Sequence, residues 1–540
     1  MVKNTILSLL LALCCASVAL AQEPTDTTLA SLDQSTDTVL MNGSFCPVRI
    51  YEPVFSVGIV ANASNSELAP YYISSNCGGT ITQQYSALVY AAAKLWNGSM
   101  HKRFSWGAGF EAWGGYASSA GYQRYAGNGQ FEVQKQHPAR VWIQEAYLTA
   151  NYRSIFAVAG QARKASPIVD GSLSSGDLVW SNNARPPVGL RAGFIDFQNI
   201  PFTKGWLQIQ GEFGYFRQLD DKWLENHYNY YNHFISTDYW LHYKSLHLRT
   251  NPGQPVVFTI GAQSACQFGG TAKYYEDGQV TRTVKMDADA KAFFRTFIAG
   301  SGGNSSGDSF VEGNHLGTWD IALRYSLSEN RHLRAYTQWL WEDGSGIGKM
   351  NGFDGLWGIE FRQYGHHLVS GAAIEYIDFT NQSGPIHWTP NDHVGTPITS
   401  HSSGADDYYN NYIYNGYQSR GMSIGSPFVK SPLYNRDGYM RYRDNVLRGF
   451  HAAIQGWLHE DWSYRLKASY RKAWGTPLLP RVGSVDDFSM AVDIQYHLVY
   501  KFMGWEFNAT VAMDHGNLYG NNWGALLGIT YSGAFNFKKR

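Results

Sequence analysis

The feature that most constrains this chain is a strict period of two that recurs from segment to segment. In 318–327, Trp319, Ile321, Leu323, Tyr325 and Leu327 fall on one face, and Asp320, Ala322, Arg324 and Ser326 fall on the other. That is the pattern of a strand with one apolar and one wet face. Trp505, Phe507, Ala509, Val511 and Met513 oppose Glu506, Asn508, Thr510 and Asp514 in the same way, and Leu207, Ile209, Phe213 and Tyr215 oppose Gln208, Gln210 and Glu212. In 464–471 the second face is Arg465, Lys467, Ser469 and Arg471, too polar for a protein core. After residue 21 no apolar run reaches the roughly 18 residues a spanning helix needs. A chain of this kind that enters a membrane must cross it as a closed barrel. A soluble sandwich also alternates, but about 18 such strands in series, with Trp and Tyr near their ends, point to lipid-facing bands, aromatic girdles and a polar lumen.

Composition supports strands over helices, with aromatics at 15 %, charged residues at 16 % and 56 glycines. The 43 Lys+Arg balance 43 Asp+Glu, which argues against a nucleic-acid binder, since that needs a basic surface to neutralise phosphates.

Strands are expected near 51–62, 79–96, 103–116, 139–152, 154–164, 176–195, 205–217, 238–250 and 255–269. The remainder fall near 315–328, 331–343, 355–364, 366–380, 445–459, 462–474, 488–500, 504–514 and 522–537. Linkers after odd strands are mostly long (63–78, 117–138, 218–237, 270–314, 381–444), and those after even strands are tight except for 196–204. This alternation is that of an outer-membrane barrel with short periplasmic turns and long outer loops. Residues 1–21 read as a cleaved signal peptide: Lys3, an apolar stretch from Ile6 to Val18, then Ala19-Leu20-Ala21. Residues 22–50 read as a periplasmic N-terminal segment and 51–540 as the barrel. The topology puts Cys77 and Cys266 at the same end, so a Cys77–Cys266 disulfide is expected; Cys46 lies at the opposite end, about 40 Å away at roughly 3.3 Å per residue.

Several motifs then stand in a fixed order. Ser175-Gly176-Asp177-Leu178 leads to Ser181-Asn182-Asn183-Ala184-Arg185-Pro186, followed by Pro201-Phe202-Thr203-Lys204-Gly205-Trp206-Leu207 and Lys244-Ser245-Leu246-His247-Leu248-Arg249. Next come Glu342-Asp343-Gly344-Ser345-Gly346, Asp354-Gly355-Leu356-Trp357-Gly358-Ile359-Glu360, Asn381-Gln382-Ser383-Gly384-Pro385 and Asp407-Tyr408-Tyr409-Asn410-Asn411. This series resembles the capsule assembly Wzi family of Gram-negative outer-membrane barrels. The resemblance implies an 18-stranded barrel acting as a lectin that tethers exported capsular polysaccharide to the cell surface. Its implied partners are that polysaccharide, outer-membrane lipid, and the barrel-assembly and capsule-export machinery, with the protein a monomer. The best-known branch also carries a periplasmic helical bundle, whereas residues 22–50 are Thr/Asp/Ser-rich without helical periodicity.

Sugar recognition needs planar donors and acceptors for hydroxyl pairs, and aromatic faces for the C–H side of a ring. Candidate polysaccharide-binding residues are therefore Glu342, Asp343, Asp354, Glu360, Asn182, Asn183, Arg185, Asp407, Tyr408 and Tyr409, with the Asn-Arg group placed part-way down the barrel wall. The same residues could equally cap strands, pair within the lumen or pack a plug. An enzyme is not expected. Adjacent Glu342 and Asp343 point to opposite strand faces and cannot form a glycosidase pair, and no nucleophile elbow accompanies the scattered histidines. No metal site or cofactor is expected. Two non-lectin readings stay open: a porin-like channel for a small polar or saccharide substrate, whose lumen charges would line a pore, and a surface scaffold without a glycan role.

Overall fold

The computed structural model describes residues 54–97, 103–227, 233–276, 278–300, 311–342, 344–384, 387–388, 402–404, 406–498 and 503–534. The expected signal peptide, the segment 22–50 and Cys46 lie outside the described residues. Among the described residues no helix is long and apolar enough to cross a membrane.

Eighteen strands close into one antiparallel barrel. They are β1 Val54–Leu68, β2 Gln83–Trp96, β3 Phe104–Ala117, β4 Val141–Tyr152, β5 Ile155–Gln161, β6 Val188–Phe194, β7 Leu207–Arg217, β8 Trp240–Thr250 and β9 Val256–Phe268. The circuit continues through β10 Asn314–Ser328, β11 Arg331–Trp341, β12 Gly355–Gln363, β13 Gly371–Asp378, β14 Leu447–His459, β15 Trp462–Gly475, β16 Pro480–His497, β17 Trp505–Gly516 and β18 Asn522–Ala534. Closure is direct: β1 pairs with β2 on one side and with β18 on the other, from Val54↔Ala534 to Ser64↔Gly524. Among the described residues no barrel strand is left without a neighbour on either side, which is the condition for strands to lie in lipid.

The period of two assigns the faces. Asp320, Thr510 and Ala512 are buried in the lumen, whereas Leu323, Val511 and Met513 are exposed on the outside with Val89, Phe110, Leu246, Ile374 and Leu527. Trp106, Tyr152, Trp206, Tyr325 and Trp462 are exposed towards the end with short turns, as in an aromatic girdle. All eighteen expected strands are present, with several boundaries moved: β1 runs on to Leu68 past the expected 62, β2 starts at Gln83 rather than 79, and β13 starts at Gly371 rather than 366. Two further shifts are larger. β16 starts at Pro480, earlier than 488. The sixth strand is confined to Val188–Phe194 rather than 176–195, so Asn182, Asn183 and Arg185 do not sit on the wall. Leu178, Val179 and Trp180 are buried consecutively, which no period of two permits, and Pro186 and Pro187 lack the N–H that a ladder requires.

The residues that leave the wall fill the outer half of the lumen. The connection 162–187 contributes Ile168, Val169, Leu178, Val179 and Trp180 to a core, and 406–446 contributes Tyr408, Tyr409, Tyr417, Ile424, Phe428 and Tyr442. These pack against Leu241, Tyr243, Leu316, Leu340, Leu356 and Ile377 of the wall. The two connections are joined to each other: Tyr409 Oη donates to Leu178 O (2.8 Å), Tyr417 Oη to Val179 O (2.9 Å) and Ser181 Oγ to Gly425 O (2.7 Å). A third inward element is α1, Tyr71–Ser74. Its Tyr71 ring and Phe428 sandwich the buried Arg471 guanidinium at 3.8 and 4.6 Å. Below this plug the lumen is lined by ion pairs, including Arg163–Glu111 (2.8 Å), Arg163–Glu145 (3.2 Å) and Arg465–Asp493 (2.9 Å).

Two further helices bear on the argument. α2, Asp221–His227, caps the mouth, and α3, Ala290–Ile298, lies against the outside of the barrel. Tyr215 Oη donates to Phe293 O (2.7 Å), and Phe213 packs edge-on against Phe297. This location overturns the Cys77–Cys266 disulfide, since both thiols are free. Cys77 follows α1 on the lumen side, where its Sγ approaches Ile73 O at 3.3 Å. Cys266 points outward beneath α3, in a cluster with Phe268 and Ala292. Same end did not mean same side of the wall.

Candidate functional site

Most of the sequence-predicted residues are engaged inside the plug. Glu342 Oε1 accepts the Tyr409 backbone N–H at 2.5 Å. Asp343 lies outside the described residues. Asp354 accepts the N–H groups of Gln382 (2.6 Å) and Asn381 (3.1 Å) and the Tyr408 hydroxyl (2.9 Å). Burial outweighs these three donors and pushes its carboxyl up to about 6. Asp407 accepts from the side chains of Asn445 (2.6 Å) and Asn410 (3.0 Å), and burial raises its pKa as well. Tyr408 and Tyr409 are fully buried. Asn182 Nδ2 donates to Lys164 O (3.0 Å), while Asn183 Nδ2 donates to Ser423 O (3.1 Å) and its Oδ1 accepts from Asn76 N (3.0 Å). Glu360 is lower in the lumen, between Arg334 (3.0 Å) and Arg362 (3.5 Å). The structure therefore brings Glu342, Asp354 and Tyr408–Tyr409 together around one buried junction, and it separates Glu360 from them.

Arg185 differs from the rest. It borders a small cleft of about 40 Å³ at the rim where β2, β3 and β4 begin or end, lined also by Thr80, Thr82, Gln83, Ser86 and Trp142. Its guanidinium lies 5.3 Å from the centroid of the Trp142 ring. Behind Trp142 the stack continues across the lumen wall, with Trp113 at 6.2 Å and an 8° interplanar angle, then Tyr90 at 4.7 Å and 22°. Hydrogen bonds set the ring planes: Trp113 Nε1 donates to Glu111 Oε1 (2.7 Å), and Trp142 Nε1 to Gln144 Oε1 (3.1 Å). Gln144 in turn donates to Gly78 O (3.0 Å), in a turn where Gly78 and Gly79 take φ values of +64° and +66°. At Gly78 an added Cβ would lie 2.4 Å from Gln144 Nε2 and displace that amide, and the positive φ itself favours glycine.

No acid answers the Arg185 charge among the described residues. Its Nε is buried without a hydrogen-bond partner, and burial together with the charge of Arg420 pushes its pKa down to about 9. On the same cleft wall the acceptor Oε1 of Gln83 is also buried and unpartnered. Sequence reasoning named Arg185 but missed Gln83, Trp113 and Trp142. The available signal was that both tryptophans fall in register with the polar faces of their strands, opposite each other across β3 and β4. Among the described residues no group of three His, Cys, Asp or Glu side chains is placed to hold a metal ion.

No family model matches the chain, and no curated protein matches it in sequence. Among solved structures, Wzi of Escherichia coli, described as an outer-membrane protein involved in group 1 capsule assembly and a carbohydrate-binding β-barrel, matches with a TM-score of 0.51 at 14 % identity. The match covers 89 % of this chain and 85 % of that one. OprD of Pseudomonas aeruginosa (TM-score 0.43, 6 % identity, 90 % and 95 % coverage) and OccAB2 of Acinetobacter baumannii (0.45, 8 %, 90 % and 98 %) are more distant matches. Together with the closed strand circuit, the Wzi likeness makes this chain an outer-membrane-type β-barrel.

Proposed function

We propose that the protein is an outer-membrane lectin that binds capsular or another surface polysaccharide at its long-loop end and attaches it to the cell surface. The observation that carries this reading is the filled lumen. Leu178, Trp180, Tyr409, Tyr417 and Phe428 form one packed core with the wall, and such a core offers a surface to a polymer rather than a path through the barrel. The fold-level likeness to a carbohydrate-binding barrel and the ordered motifs favour the same reading. Export by the signal peptide at 1–21, action as a monomer, and cooperation with the barrel-assembly and capsule-export machinery belong to this proposal. In it, Arg185 contacts the ligand. Glu342, Asp343, Asp354, Asn182, Asn183, Asp407, Tyr408 and Tyr409 shape the mouth, and Glu360 braces the lumen below it. The chemistry is non-covalent, with no cofactor. The alternative is a porin-like channel for a small polar or saccharide substrate, which would need a path beside the packed connections.

Deleting the gene and comparing cell-bound with released polysaccharide tests the tether. Normal synthesis with shedding into the medium is expected, and unchanged retention would refute it.

A further inference from the structure

Three features of the Arg185 cleft bear on what it binds. First, the guanidinium is supported on one face by an aromatic stack of three rings, so its position is set by the wall and not by the ligand. Second, Nη1 and Nη2 make no hydrogen bond to any described residue, and unlike Nε they are not among the buried unpartnered atoms. They are the part of the side chain that a solute can reach. Third, Gln83, which is 7 % exposed, holds an acceptor oxygen without a partner on the same wall. Leaving buried polar groups unmatched costs stability, and a protein core rarely keeps them. A planar cation with two free N–H edges takes a planar anion in the two-bond arrangement that guanidinium makes with a carboxylate. The buried Gln83 acceptor marks the polarity of the wall beside it.

We propose that this cleft is the recognition site for an acidic sugar unit, with the carboxylate of a uronic-acid-type residue on the Nη1 and Nη2 atoms of Arg185 and the sugar ring outside the cleft. Trp142, Trp113 and Tyr90 are positioning residues that hold the guanidinium plane. The proposal rests on the lectin reading and sharpens it. The polymer is bound through its charged units, and polymers without them are discriminated against by the cation left unpaired.

The test uses the purified full chain in detergent and calorimetric titration with two probes of equal length, a short glucuronate oligosaccharide and a neutral glucose oligosaccharide. The glucuronate probe is expected to bind more tightly, with an affinity that falls as salt rises. R185Q should lose roughly tenfold to a hundredfold, and R185K should lose less. Heat-dependent gel mobility verifies that each variant is a closed barrel, and W142L supplies a second route by removing the support while keeping the charge. Equal binding of both probes with R185Q unaffected overturns the acid recognition and leaves the lectin reading standing. Inorganic phosphate displacing the probe as well as free glucuronate does would make this a phosphate site and overturns the sugar assignment. Binding of neither probe overturns the site, and the retention experiment then judges the tether alone.

Discussion

Replacing Asp177 by alanine removes the hub that joins the plug to the wall. The Asp177 carboxylate is buried and accepts the backbone N–H groups of Val179 (2.8 Å) and Trp180 (2.9 Å), the Gln263 amide of β9 (3.1 Å), the Gln338 amide of β11 (2.9 Å) and the Ser166 hydroxyl. Gln338 also accepts from Leu178 N (3.0 Å), so the same two side chains fix both the turn and its neighbour. Alanine leaves two backbone donors and at least one side-chain donor without partners in a dry interior. At about 1–3 kcal/mol for each stranded group, the plug loses on the order of 3–9 kcal/mol, while asparagine, which keeps the shape and one acceptor, loses roughly half of that. The barrel itself is held by its closed ladder and should stay intact. Expected in D177A are faster hydrogen exchange across 162–187 and 406–446, and higher ion conductance in planar bilayers than the wild type gives. Exchange in 162–187 unchanged to within about 1 kcal/mol would refute the reasoning, because it would mean that the apolar contacts of Leu178 and Trp180 hold the plug without the hub.

Three shorter predictions follow from the same contacts. The Asp354 carboxyl, raised by burial to about 6, favours the folded plug below about pH 4, and this contribution is lost as pH rises through 6, a swing of roughly 3 kcal/mol. Melting of the tertiary signal at pH 4, 6 and 8 should show this slope, and D354N should flatten it; an unchanged slope in D354N would assign it elsewhere. Alkylation of denatured, unreduced protein should label both Cys77 and Cys266, which are free in the structure; labelling that depends on a reductant would contradict their placement on opposite sides of the wall. Lys244 donates to the backbone carbonyls of Thr296 (3.4 Å) and Phe297 at the C-terminal end of α3. K244M should therefore loosen that helix by about 0.5–1 kcal/mol, read as faster exchange in 290–298 without a change in barrel melting, and full retention of protection would show that Phe293 and Phe297 dock it unaided.

The wall of this protein was written in its sequence because a strand's two faces meet two different solvents. Trp319 against Asp320, or Val511 against Thr510, records lipid on one side and lumen on the other within neighbouring residues, and each tight turn returns the chain to the next strand. That information is local, so strand number, direction and the end carrying the long loops could all be read before any contact was known. The plug could not be read in this way. Asn183 reads as a strand residue or a sugar ligand until Ser423, far along the chain, accepts its amide; Tyr408 and Tyr409 read equally as sugar ligands or as a packed plug, and their burial decides for the plug. Their environments are created by segments that meet only after the barrel has closed around them. The same holds for Cys77 and Cys266, where topology gave the end of the barrel and only the tertiary structure gave the side of the wall. Arg185 combines both kinds of information. Its charge was visible in the sequence, but the absence of a neutralising acid among the described residues, and the three rings stacked behind it, are properties of the assembled wall.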